Sequence, residues 1–78
     1  MEKILEAIKE KLNMGYTINN LEVDFGYPDD QTETEGYYLS KLNGWGATPI
    51  TEVLCEESEV DFNKLVIELD KLRIAYCN

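Results

Sequence analysis

The chain has no histidine. That absence removes the commonest general base, the Ser–His and Cys–His nucleophile pairs, and most zinc sites. Two cysteines are present, Cys55 and Cys77, and they lie far apart. They form no C-x-x-C motif, and they are expected to be reduced rather than bridged. No apolar run approaches the roughly 18 residues of a membrane span. Glycine-rich phosphate loops are missing too: Gly44-Trp45-Gly46 lacks a further glycine three residues on and any Lys-Ser/Thr. Bases are few, seven against sixteen acids. A net charge of −9 disfavours direct binding to DNA, RNA or anionic lipid. Met1 is followed by a charged amphipathic stretch and no apolar h-region, so no export signal is read. The expectation is a cytoplasmic protein with reduced thiols.

What the chain has is acid in its middle. Between Glu22 and Asp61 there are eleven acids and one base, Lys41. The flanks are nearly neutral. Leu, Ile, Val and Phe number 21 of 78 residues, enough for a folded core. The expectation is one domain over residues 1–78 with a stability of only about 3–5 kcal/mol. Crowded like charge erodes that margin. Solubility alone needs less charge than this, roughly 2–8 for a small domain.

Periodicity organises the chain. Ile4, Leu5, Ile8 and Leu12 share a helical face and predict a helix over 2–14, with Gly15 as a left-handed cap. Leu21, Val23, Phe25 and Tyr27 alternate with Asn20, Glu22, Asp24 and Gly26, which predicts a strand over 16–27, with Asn19-Asn20 either beginning it or marking a bend. That alternation points Glu22 and Asp24 outward together. Residues 28–36 read as an acidic loop holding Asp29, Asp30, Glu33 and Glu35. Residues 37–42 read as a second strand, and Asn43-Gly44 as a two-residue hairpin turn with Trp45 directly after it. Residues 48–57 fit a strand or a Pro-initiated helix. The strand over Ile50–Cys55 is preferred, because a third strand gives the sheet a continuous buried face. Residues 61–76 predict a second helix, capped by Ser58 or Asp61. The order α-β-β-β-α predicts a small two-layer α+β sandwich, an antiparallel sheet with both helices on one face.

Catalysis is not expected. Paired carboxylates need a cleft that desolvates one of them, and these acids sit on a loop and on outward strand positions. The oxygen-bearing side chains at alternate positions, Asp29, Gln31, Glu33 and Glu35, resemble a calcium loop only in part. Gly36 falls at position eight where position six needs glycine, and Ser40 stands where the closing Glu belongs. No metal and no cofactor is expected. Trp45 has two readings, a lid over the core or an exposed anchor between flexible glycines. Ile67 and Ile74 also have two: burial by the first helix, or a homodimer contact.

In size, acidity and helix–sheet–helix layout the chain resembles small inhibitors. These include phage anti-CRISPR and anti-restriction proteins, and immunity proteins of basic nucleases. No residue-level signature accompanies the resemblance, so no residue role is carried over. Together these readings predict a non-catalytic inhibitor that occupies the basic nucleic-acid-binding surface of a target enzyme such as a nuclease. Its contact residues would be Glu22, Asp24, Asp29, Asp30, Glu33, Glu35, Trp45, Glu56, Glu57 and Glu59. The protein itself would be a monomer or homodimer, without direct nucleic-acid or membrane contact. The alternative is a structural or regulatory subunit assembling through Ile67, Ile74 and Trp45.

Overall fold

Apolar periodicity becomes helix where it runs at 3.6 and strand where it runs at two, in a computed structural model that describes residues 1–31 and 33–77. The elements are α1 (Glu2–Asn13), β1 (Leu21–Gly26), β2 (Gly36–Asn43), β3 (Gly46–Pro49), a single 3-10 turn (Glu57–Glu59), α2 (Phe62–Leu72) and β4 (Ala75–Tyr76). The predicted α-β-β-β-α order holds. The sheet order is β3-β2-β1-β4. The β1–β2 and β2–β3 pairs are antiparallel, and β4 adds a parallel pair to β1. The sheet is therefore mixed, because the chain returns to β1 through α2 and arrives running the same way.

One apolar cluster holds the layers together. Ile4 and Ile8 of α1 and Leu65 and Leu69 of α2 meet Leu21, Val23 and Leu39 of the sheet, each essentially without exposed surface. These strand residues occupy one face, by the register Val23↔Leu39 and Leu21↔Lys41. The helices accordingly cover one side of the sheet. No helix among the described residues is long and apolar enough to cross a membrane.

The strand predicted over 16–27 spans only Leu21–Gly26. Residues 17–20 form a turn, closed by Asn20 N–H donating to the Thr17 carbonyl at 3.0 Å. The two-residue hairpin loop is Gly44-Trp45 instead of Asn43-Gly44, since Asn43 pairs with Gly46. The Asn43 side-chain oxygen accepts from Trp45 N–H at 2.9 Å and so favours this register.

The third strand lies upstream of its predicted place at Ile50–Cys55. Its ladder runs over Gly46–Pro49. Beyond Pro49 the chain stays on β2 by other means. Ile50 N–H donates to the Leu39 carbonyl, and the Thr51 hydroxyl accepts from Leu39 N–H, both at 2.9 Å. A side-chain oxygen thus replaces a ladder carbonyl. The chain bulges and rejoins β2 where Tyr37 exchanges two hydrogen bonds with Leu54 and Cys55, each 2.8 Å. Cys55 is buried there in the core.

α2 starts on Asp61, whose carboxylate accepts from Asn63 and Lys64 N–H at 3.1 and 3.3 Å. Asp61→Ala should lower stability by about 1 kcal/mol. In a domain of this size that is a drop of roughly 4–8 °C in Tm by thermal melting. The helix ends at Leu72 and not at 76. Arg73 adopts a left-handed conformation (φ 60°, ψ 33°), and this turns the chain back toward the sheet. Ile74 therefore leaves the helix and enters the core at 3% exposure, while Ile67 is 55% exposed. The expected pairing of these two on one helical face does not occur, and Ile74 cannot serve an assembly contact.

Candidate functional site

The sheet face away from the helices is where alternation sends Glu22 and Asp24. Across the β1–β2 ladder Glu22 stands opposite Ser40 and Asp24 opposite Tyr38. On the other side β4 brings Ala75 level with Glu22, and Cys77 follows two residues on, its N–H donating to the Val23 carbonyl at 2.9 Å. The outward face of the sheet centre thus carries Glu22, Asp24, Tyr38, Ser40 and Cys77. Carboxylate oxygens of Glu22 and Asp24 and the Cys77 sulfur all lie within 4.8 Å of one another.

This face is not simply wet. Burial, with the hydrogen-bonding carboxyl and charge of Asp24 in second place, pushes the Glu22 carboxyl from 4.5 up to about 7. Burial also raises the Tyr38 phenol, and the charges of Asp24, Glu22 and Cys77 add to it. One Asp24 carboxylate oxygen and the Ser40 hydroxyl are buried without a hydrogen-bond partner among the described residues. The expectation of freely solvated strand acids is therefore corrected. Tyr38 and the returning C-terminal segment shield Glu22. The sequence signal for that return was slight, since Ala75–Tyr76 is a two-residue strand inside a predicted helix.

The raised Glu22 carboxyl has a defined sign in stability. Between pH 4.5 and about 7 the folded state holds a proton that the unfolded chain has released. Stability contributed at that site is complete below 4.5 and is lost as pH rises through about 7. Glu22→Gln should melt higher than the wild type above pH 7, and the gap should close below pH 4.5. Thermal melts of both proteins across this range, in buffer containing a chelator, check the difference.

The remaining acids gather elsewhere. Asp29 from the β1–β2 loop, Glu52 from the bulge, and Glu56 and Glu59 around the 3-10 turn line one open groove, with Lys3 of α1 at its side. The Glu59 carboxylate accepts from Glu56 N–H at 2.7 Å, which fixes that carboxylate at the turn. Asp29 accepts from Gln31 N–H at 3.0 Å. Asp30, Glu33 and Glu35 are exposed on the same loop. Glu57 raises the phenol of core-facing Tyr37, after burial, whereas Glu22 and Asp24 act on Tyr38, which faces the other way. The groove takes in Lys3 of α1, on the helix-covered side of the sheet, whereas Glu22 and Asp24 stand on its other face.

Trp45 is fully exposed at the tip of the β2–β3 hairpin. The lid reading is excluded. The tip lies at the far end of β2 from the acidic loop, roughly 23 Å away for eight residues at about 3.3 Å each. The predicted contact residues therefore divide among a sheet face, an acidic groove and a distant tryptophan. Trp45→Ala should change folding stability by less than about 0.5 kcal/mol in urea titration, because the ring packs against nothing. No family model, no curated protein and no solved structure matches this chain.

Proposed function

We propose that the protein is a non-catalytic inhibitor that docks its acidic end into a basic, nucleic-acid-binding surface of another protein. The observation that carries this reading is the groove. Two segments distant in sequence, the loop at Asp29 and the stretch 52–59, place Asp29, Glu52, Glu56 and Glu59 around one opening, and Asp30, Glu33 and Glu35 continue the charge along the adjoining loop. Local sequence alone does not produce that convergence. A surface of one sign steers a partner of the other sign and raises association rates by about 10–1000-fold. The target's Lys and Arg, arranged for phosphates, supply the complement.

Glu22 and Asp24, on the opposite sheet face, lie outside this contact. Trp45 enters it only with a partner that reaches along the whole of β2. Interfaces of ordinary size, about 800 Å² per partner, can extend that far.

Affinity capture from host cells at low and high salt is the first test. The expected partner is a basic enzyme that acts on nucleic acid. It should be retained at low salt and released at high salt, and the pure protein should displace nucleic acid from it in competition. A partner held equally at both salt concentrations, or one still bound to nucleic acid in the complex, contradicts the reading. Trp45→Ala then maps the contact. Unchanged affinity confines it to the acidic end, and a tenfold loss extends it to the hairpin tip.

A further inference from the structure

We infer that the outward sheet face is a zinc site, ligated by Glu22, Asp24 and Cys77. Two of the donor atoms come from β1 and the third from the residue just after β4, and all lie within 4.8 Å of one another. Donors on one tetrahedral zinc stand about 3.4–3.6 Å apart, given bonds of 2.0–2.3 Å. Side-chain rotations closing about 1 Å bring the set to that geometry.

One observation independent of the acids points to a ligand here, and a second comes from Asp24 itself. The Ser40 hydroxyl is on the same face, directly opposite Glu22, in a residue with 0% exposure, and it has no hydrogen-bond partner among the described residues. One Asp24 oxygen is likewise buried and unpartnered. Buried polar atoms without partners are uncommon in native proteins, because each forfeits its hydration without a compensating bond. A cation between Glu22 and Asp24 satisfies the Asp24 oxygen and removes the repulsion of two adjacent carboxylates. Ser40 Oγ, or a water held by it, completes the fourth position.

The donor set selects the metal. Calcium and magnesium take oxygen ligands and gain nothing from a thiolate. One sulfur with two carboxylate oxygens suits a borderline ion of tetrahedral habit, which is Zn²⁺. Binding displaces the thiol proton of Cys77 as the Zn–S bond forms. Cys77 is exposed and accessible to an arriving ion, whereas Cys55 is buried in the core and not part of the cluster. The site uses no histidine, and β4 builds it by placing Cys77 beside β1.

The test uses the full chain, reduced and stripped with chelator, titrated with Co²⁺ and then Zn²⁺. One equivalent of Co²⁺ should produce a thiolate-to-cobalt charge-transfer band in the near ultraviolet. Zn²⁺ should displace the cobalt and raise the Tm. Cys77→Ser should abolish the band, Asp24→Asn should weaken binding at least tenfold, and Cys55→Ala should leave the band intact. Circular dichroism of each variant establishes that it is folded. Absence of the band in the folded wild type, its survival in Cys77→Ser, or equal binding of Ca²⁺ overturns the inference. None of these readouts involves the partner, so the zinc site and the inhibitor reading fail separately.

Discussion

Gly36→Ala is expected to destabilise the domain by about 3 kcal/mol or more, close to the whole stability of a chain this size. A Cβ on Gly36 would run into the Val53 side chain and the backbone carbonyl of Cys55. A side chain can rotate away. The carbonyl cannot, because it accepts from Tyr37 N–H at 2.8 Å and holds the bulged chain on β2. Relief requires that this bond break and that Cys55 leave the core. Glu52, Glu56 and Glu59 ride on the same segment, so the groove would open with it. Gly44→Ala is the control, since its Cβ would meet nothing within 4 Å. The urea midpoint of Gly36→Ala should fall far below that of Gly44→Ala, with loss of near-ultraviolet dichroism at the midpoint. Equal midpoints would show that the bulge moves aside at no cost.

The same segment shows where sequence pattern stops being informative. α1, β1 and the hairpin are local: a 3.6 period, a two-residue alternation, an Asn-Gly turn. Each carries its own signal, which locates α1 and the hairpin to within a residue, while β1 begins five residues later than its pattern predicts. The bulge over 50–54 is not local. Pro49 ends the ladder, Thr51 lends a hydroxyl to Leu39, and Gly36 leaves space for the crossing. These three facts gain meaning only together. Residues 73–77 failed for a related reason. Apolar spacing continues through Ile74 and Tyr76 as though the helix did, and Arg73 is a residue that seldom adopts a left-handed conformation. Tertiary pairing with β1 overrides that local preference. The composition of the acidic middle was legible at once, but its division between the outward sheet face and the groove was not. That division follows from sheet register and from the bulge.

Reversing Asp29 and Asp30 to lysine should slow association with the partner at least tenfold at low salt. Both acids sit on the loop beside the groove, where seven carboxylates of the acidic end set the field. The double reversal changes the local charge by four units in a surface whose contribution to encounter is electrostatic. Neither residue is buried, so the fold should tolerate the change. The effect should shrink toward nothing near 1 M salt, where the Debye length is about 3 Å. Lys3→Glu should act in the opposite direction, because Lys3 is the base beside the groove. Asp70→Lys, on α2 and outside the groove, should have little effect on rate. Stopped-flow association of wild type and variants over a salt series separates these cases. If Asp70→Lys slowed association as much as the loop reversals did, net charge alone would account for binding and the groove would lose its role. A selective effect at Asp29 and Asp30, with acceleration by Lys3→Glu, locates the docking surface at the end of the sheet where bulge, loop and 3-10 turn converge.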